Sequence, residues 1–376
     1  MTALNDDGDD AGRRTGATVP KGADSRAGSN VGARSGGGTR HVGVREVAAR
    51  AGVSLGTVSN VLNNPDRVGT RTRERVESAM RALGFVPSRA AGQLRSRRSE
   101  LIGLVVPDVG NPFWASVLRG VETVIDEAGL TMVVGSTHQD PERQEHLLRV
   151  LTSQGVDGLV LAPIVDRAAD WAAFEQRRFG VVTLEHQATG SPGAWVSLDN
   201  VEGARLAMAH LLDEGYRRIA LVNGSTSVSW CAERRAGVER AVVDQGLDPA
   251  DVVVDVEVRD LTVVEGSRAV GPLLDRREVT AVMCVNDMLA LGALLAMQER
   301  GLRVPDDVAL VGYDDTDFSP ALNPPLTTVR QPSFAMGAAA ARLLLRADER
   351  EPGEHVAFEP QLVVRASSRR QVATTR

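Results

Sequence analysis

Ser54, Leu55, Gly56, Thr57, Ser59 and Asn60 crowd into one short stretch of the sequence. The hydroxyls of Thr57 and Ser59 can reach a phosphate or a base, and the Asn60 amide can pair with two atoms of adenine. Leu55 can make only apolar contact, for example with a thymine methyl, and Gly56 permits close approach. This is the chemistry of reading the edge of a duplex, and it requires one helix to carry the set into the major groove. Bond-breaking chemistry has no comparable signature. The chain has no Walker phosphate loop and no Gly-x-Gly-x-x-Gly after a strand, and Asn223-Gly224-Ser225 reads as a lone turn. The six histidines are scattered without ligand spacing, and Cys231 and Cys284 sit singly in apolar runs, so they read as small core residues. No catalytic residue, cofactor or metal is expected.

The elements that must position those residues are legible around them. Val44, Val47, Ala48 and Ala51 repeat at i, i+3, i+4 and i+7 and predict a helix. Ala51-Gly52-Val53 makes a turn, and Ser54 caps a second helix, Ser54–Leu62, whose apolar face is Val58, Val61 and Leu62. Asn63-Asn64-Pro65-Asp66 breaks it. A third helix runs from about Thr70 to Leu83, with Val76, Ala79, Met80 and Leu83 inward and Gly84 as its stop. Two helices joined by a tight Gly-containing turn form a helix-turn-helix. The plainer reading is a packing subdomain or linker, and charge argues against it. Residues 41–99 hold eleven arginines against Glu46, Asp66, Glu74 and Glu77, a balance of +7 in a chain whose net charge is −6. A basic module fused to an acidic body suits a protein that touches a polyanion at one end only.

The remainder has a different texture. At 376 residues the chain is too long for one core and suggests two or three folding units. Residues 1–40 have almost no large apolar side chain and are expected to be disordered. The N-terminus lacks the apolar centre of a secretory signal, and no run approaches the ~20 apolar residues of a membrane span, so a cytoplasmic protein is expected. From residue 101, apolar runs (LIGLVV, LTMVVGS, VDGLVLAP, GVVTLEH, RRIALVNG, DVVVDVEV, VTAVMCVND, DVALVGYDD) alternate with amphipathic stretches. Near Val196–Asn200 a strand leads into a helix starting about Val201. Continuous apolar strands separated by helices predict parallel sheets covered on both faces. The expected fold class is α/β: an all-α helix-turn-helix headpiece followed by two doubly wound lobes, with ligands in the cleft beyond the strand ends.

The stretch VREVAARAGVSLGTVSNVLNNPDRVGTRTRERVESAMRALGFVPSRAAGQLRSRRSELIGLVVPDVGNPFW, with VDGLVLAP, ERRAGV, CVNDMLALGAL, VALVGYDDT, PPLTTVRQP and LVVRASS, resembles the lactose-repressor/galactose-repressor family of bacterial regulators over about residues 42–368. The resemblance implies a disordered tail at 1–40, a headpiece at 41–86, a hinge helix at 87–99, a periplasmic-binding-protein-like core at 100–368 and a short tail at 369–376. The lobes would be about 100–198 with 330–358, and about 199–329 with 359–368. It adds Asn63, Arg67, Ser88 and Arg89 to the DNA-binding candidates, and makes Leu94 a minor-groove wedge. The segment Pro87–Ser99 is too short for a stable isolated helix and contains Gly92, which fits a helix that forms only on DNA. A plain basic linker is the alternative. Ser88 and Gly92 depart from the family's usual Asn and Arg.

For the core, the resemblance implies an effector site of Asn111, Phe113, Trp114, Glu185, His186, Asp199, Arg234, Asn286, Asp314 and Gln331. Aromatic faces suit the C–H face of a sugar, and amides and charged forks suit its hydroxyls. Arg234 and Asp314 are expected to pinch one ligand from opposite sides. A core pair for Phe113–Trp114, a surface salt bridge for Arg234 and a metal site at Asp314–Asp315 are the competing readings, and no spaced His, Cys or Glu supports the last. Ribose-type relatives carry Asp-Arg where this chain has Glu185-His186, so a different manner of reading is implied. The implied function is an effector-controlled repressor binding a near-palindromic double-stranded DNA operator as a homodimer, away from any membrane. A carbohydrate is the leading effector; a nucleobase, a sugar phosphate or another metabolite, as inducer or corepressor, remains open. A transport solute-binding protein would share the core but need an export signal and no headpiece.

Overall fold

The computed structural model describes residues 42–85, 99–166, 174, 180–186, 193–347, 351 and 353–369. The chain divides into two compact units, residues 1–88 and 89–376.

The first unit contains α1 (Val44–Ala51), α2 (Leu55–Asn63), a 3-10 turn (Pro65–Arg67) and α3 (Thr70–Leu83). Its core is small: Val47, Ala48, Ala51, Val58, Val61, Val76 and Ala79. Val44, expected on the apolar face, is exposed, and Leu62, Met80 and Leu83 are only half-buried against the cluster. α1 ends on Gly52 in the left-handed region (φ 62°), which turns the chain toward α2. The side chain of Ser54 accepts a hydrogen bond from Thr57 N at 3.1 Å, so Ser54 is the cap and Leu55 the first helical residue. Arg75 reaches back from α3 and donates to the carbonyls of Ala51 and Gly52, the latter at 3.1 Å.

The second unit is built on two six-stranded sheets. The first has the order β11-β5-β4-β3-β1-β2, from β1 (Leu101–Val106), β2 (Thr131–Ser136), β3 (Gly158–Leu161), β4 (Gly180–Leu184), β5 (Ala194–Leu198) and β11 (His355–Phe358), all parallel. The second has the order β12-β10-β9-β8-β6-β7, from β6 (Ile219–Asn223), β7 (Val253–Glu257), β8 (Ala281–Cys284), β9 (Ala309–Asp314), β10 (Thr327–Arg330) and β12 (Gln361–Val363). β12 runs antiparallel to β10, a departure from the expected all-parallel sheet that doubly wound folds tolerate at an edge.

Helices α4 (Pro112–Glu127), α5 (Pro141–Ser153) and α11 (Ser333–Leu345) cover the first sheet. α6 (Asn200–Asp213), α7 (Ser229–Asp244), the short α8 (Pro249–Val252), α9 (Val263–Asp275) and α10 (Asp287–Glu299) serve the second. α4 and α11 cross in backbone contact: a Cβ on Gly120 would overlap the Phe334 carbonyl oxygen, and one on Gly337 that of Val117. Gly266 and Gly292 play the same reciprocal part between α9 and α10.

The central strands β1, β3, β4, β6, β8 and β9 are almost wholly buried, as continuous apolar runs require. β2 departs from that expectation. It lies at a sheet edge, and Val133 and Val134 are exposed. The chain passes between the sheets three times: at Asp199, at Gln331–Pro332 and at Glu359–Pro360. Arg330 still belongs to β10, so the second passage falls just after the expected boundary.

Candidate functional site

The face of α2 is free. Leu55, Gly56 and Asn60 are exposed, with Thr57 and Ser59 half-buried beside them. Leu55 keeps 48% of its surface open, an uncompensated apolar exposure on a helix whose Val58 and Val61 are buried. The hydroxyls of Ser54 and Thr57 lie 2.9 Å apart. Asn63 turns its amide onto its own helix, donating to the Ser59 carbonyl at 2.7 Å and the Ser59 hydroxyl at 3.2 Å, which leaves its oxygen for an outside donor. Arg67, at the end of the 3-10 turn, is exposed. Ser88, Arg89 and Leu94 lie outside the described residues. Arg75 was not among the candidates, yet it fixes the angle of the turn by seating a cation on the last carbonyls of α1.

The second unit holds a cavity of about 250 Å³ at the C-terminal ends of both sheets. Eight of the ten effector candidates line it: Asn111, Phe113, Trp114, Glu185, Arg234, Asn286, Asp314 and Gln331. Asn111 caps α4, its Oδ1 accepting from Phe113 N at 2.9 Å, so only its amide nitrogen is left to meet a ligand. The rings of Phe113 and Trp114 pack edge-to-face with centroids 4.8 Å apart. Asn286 is committed twice, capping α10 through Leu289 N and donating to the Leu261 carbonyl.

The charged centre is a buried network. Glu185, at φ 60°, accepts from Asn200 Nδ2 at 2.6 Å through Oε2, while its Oε1 is buried without a partner among the described residues. The same amide nitrogen donates to Glu233 at 3.0 Å. Burial pushes the Glu185 carboxyl up to about 7 against the opposing pull of Arg234 and Asn200, with Glu233 adding to the rise. Arg234 donates to Asn200 Oδ1 at 2.9 Å and to the Val285 carbonyl, and its guanidinium lies 3.7 Å over the Tyr313 ring.

Asp314 accepts from Gln331 Nε2 at 2.7 Å. Burial holds its carboxyl well above the usual range, opposed by Arg234 and reinforced by Asp287 and Glu185. Its φ of 120° is a strained backbone for a non-glycine residue, maintained by its surroundings. Those surroundings include wholly buried Asp287, which accepts from Thr316 N at 2.9 Å and from the hydroxyls of Thr316, Ser319 and Thr328, pinning the chain just after Asp314. The carboxyl of Asp315 pairs with Arg330 and Arg365. Among the described residues, no group of three or more His, Cys, Asp and Glu side chains is arranged to hold a metal ion.

Two expectations need correction. His186 does not line the cavity; its ring is 2.9 Å from Asp166. Asp199 is spent as the cap of α6, accepting from Glu202 N at 2.9 Å. Arg234 and Asp314 both belong to the second sheet and its helices, within the expected second lobe, and Asn111, Phe113, Trp114 and Glu185 supply the other side of the cavity. The sequence reading also missed Pro107, Asp108, His138, Gln139, Trp230, Asp260, Leu261 and Thr262. Most follow β1, β2 or β7, so applying the strand-end rule to every strand finds them. Trp230 lies one helical turn before Arg234 on α7, which places both on one face.

The profile described as "Bacterial regulatory proteins, lacI family" matches residues 44–88, and that of a "Periplasmic binding protein-like domain" matches residues 208–368. The HTH-type transcriptional regulator DegA of Bacillus subtilis (strain 168) is 33% identical over 330 residues, 86% of this chain and 97% of DegA. Among solved structures, a transcriptional regulator CelR–cellobiose complex aligns with TM-score 0.63 and 33% identity, covering 87% of this chain and 99% of CelR. The lac repressor dimer bound to operator and the anti-inducer ONPF aligns with TM-score 0.73 and 30% identity, covering 88% and 100%.

Proposed function

Because the chain belongs to the lacI family of bacterial regulatory proteins, we propose that it is a sequence-specific transcriptional repressor whose hold on a DNA operator is set by a small carbohydrate. One observation carries the effector half of this reading. The cavity buries two acceptors that nothing among the described residues satisfies, Glu185 Oε1 and Gln331 Oε1, beside the rings of Phe113, Trp114 and Trp230. A buried acceptor left unpaired costs about 1–3 kcal/mol. A ligand that brings two hydroxyl donors and an apolar C–H face removes both costs at once. The CelR structure, which holds cellobiose, is one solved relative that supports the same ligand class. A purine with N–H donors along one edge is the second reading, favoured by the same aromatic rings.

For DNA, α2 enters the major groove and Asn60 reads a base, while Arg67 and the hinge arginines hold phosphates. The lac repressor structure, a dimer on its operator, supports a homodimer on a near-palindromic site. A repressor works where the chromosome is, which places the protein in the cytoplasm; among the described residues no helix is long and apolar enough to cross a membrane. Control is a population shift: the effector prefers one arrangement of the core, and operator affinity follows by the difference in its affinity for the two states.

The test pairs selection of a binding site from random duplexes with a thermal-shift screen of sugars and nucleobases. One duplex sequence should be enriched, and Asn60→Ala should retain nonspecific binding but lose that preference. A sugar should raise the melting temperature of the wild type and not of Asp314→Ala. A ligand indifferent to Asp314, Arg234 and Phe113 places the effector elsewhere.

A further inference from the structure

We infer that the cavity is built for a sugar bearing a positive charge, so that the effector is an amino sugar whose ammonium group is met by acids of both sheets; this deepens the carbohydrate reading above and rests on it. Four carboxyls line the cavity: Asp108 after β1, Glu185 after β4, Asp260 after β7 and Asp314 at the end of β9. The first two come from one sheet and the last two from the other. Among the described residues none of the four belongs to an ion pair. One oxygen of Asp108 accepts from Gly110 N at 2.8 Å and one of Asp314 from Gln331 Nε2 at 2.7 Å. Glu185 is 4% exposed, and its Oε1 has no partner among the described residues.

Arg234 is the one arginine lining the cavity, and no lysine joins it. Its guanidinium is committed elsewhere, to Asn200 Oδ1, to the Val285 carbonyl and to the ring of Tyr313, with Trp230 at 5.2 Å. The acids are therefore crowded by their own kind. Burial pushes the Glu185 carboxyl up to about 7, and Glu233 adds to the rise; burial raises Asp314 as well, and Asp287 and Glu185 add to it. The hydroxyls of a neutral sugar satisfy single acceptors but leave that repulsion in place. A primary ammonium brings three N–H donors together with the charge that cancels it. The rings of Phe113 and Trp114 line the same cavity and favour a cation near their faces, as Tyr313 already does for Arg234.

The groups that face Glu185 are Asn200 of α6, Glu233 and Arg234 of α7, and Tyr313 and Asp314 of β9. Arg234 is the only cation among them. An ammonium arriving at Glu185 Oε1 favours the ionised carboxyl, so binding expels a proton from it. An acetylated amine keeps the nitrogen and loses the charge, which makes it the sharpest control. A bare metal cation is the other positive group that acids attract, and among the described residues no three or more acidic, His or Cys side chains are arranged to hold one.

The experiment is isothermal calorimetry on the full chain at pH 6, where the amines are charged, with matched triplets: glucosamine, glucose and N-acetylglucosamine, and the same three forms of galactose and of mannose. Cellobiose is paired with the glucosamine disaccharide, and putrescine serves as a cation that is not a sugar. One amino sugar should bind at least tenfold more tightly than both its parent and its N-acetyl form. Repeating the titration in two buffers of different ionisation enthalpy should show protons released on binding. Glu185→Gln and Asp260→Asn should each shrink the preference for the amine severalfold, and Glu185→Gln should also release fewer protons. A neutral sugar that binds as tightly as its amine, or more so, overturns the charged effector and leaves the carbohydrate reading intact. So does a preference for the amine that both variants keep in full. Putrescine binding where no sugar binds, or binding of none of these compounds, overturns the carbohydrate reading and the amino sugar with it.

Discussion

Glu185→Gln isolates one of the buried carboxyls that line the cavity. The carboxyl is 4% exposed, one of its oxygens has no partner among the described residues, and burial lifts it from 4.5 to about 7. Between those values the native chain retains a proton that the unfolded chain has already released. The native state therefore binds more protons there, and stability must fall as the pH rises through that window. The contribution is fully present below 4.5 and is lost once the pH passes 7. Its size is about 3 kcal/mol, at about 1.4 kcal/mol for each tenfold change in proton concentration. Glutamine cannot ionise, and its oxygen can still accept from Asn200. The variant should therefore gain on the wild type by most of those 3 kcal/mol between pH 5 and pH 8. Guanidinium unfolding followed by tryptophan fluorescence measures this directly, because all four tryptophans lie beyond residue 100 and report on the second unit. A gap between the two proteins that stays constant within about 1 kcal/mol across that range would show that Glu185 is an ordinary ionised carboxylate.

Gly337→Ala should destabilise the core by about 3 kcal/mol or more, because its methyl group overlaps the Val117 carbonyl and two helices must separate; a melting temperature within a degree of the wild type contradicts the crossing. Ser54→Ala should weaken the start of α2 by about 1 kcal/mol, seen as roughly fivefold faster amide exchange at residues 55–58 in the intact chain, with no change elsewhere. Asp287→Ala leaves the hydroxyls of Thr316, Ser319 and Thr328 and the Thr316 N–H without their acceptor. It should cost about 3 kcal/mol or more in denaturant unfolding, and a smaller loss means water replaces the carboxylate.

The headpiece was legible almost to the residue because every signal in it is local. Gly52, Ser54 and Gly84 mark helix ends by backbone geometry that depends only on neighbours. The central strands were legible because burial on both faces leaves an uninterrupted apolar run. β10 and β11 were not, for opposite reasons. β10 is buried but carries Thr327 and Thr328, whose hydroxyls are satisfied by distant partners, and β11 alternates exposed and half-buried residues like any edge. In the site, residue identity reached Arg234, Asp314 and Gln331, and the expected lobe bounds already placed Arg234 and Asp314 on one side of the cleft. His186 and Asp199 were misplaced because a polar side chain near a strand end has two uses, cap or ligand contact, and only coordinates separate them.

The last two strands have a consequence for how the core can be cut. β11 completes the first sheet beside β5, and β12 completes the second beside β10, although Glu359 and Pro360 alone separate them. Each lobe is finished by chain that arrives only after most of the other has been made. A nascent polypeptide stalled before His355 lacks an edge on both sheets at once, and no single scission releases one lobe whole. Halves of this core cannot be inherited, exchanged or expressed as contiguous segments; the cleft and the two walls that form it are completed together.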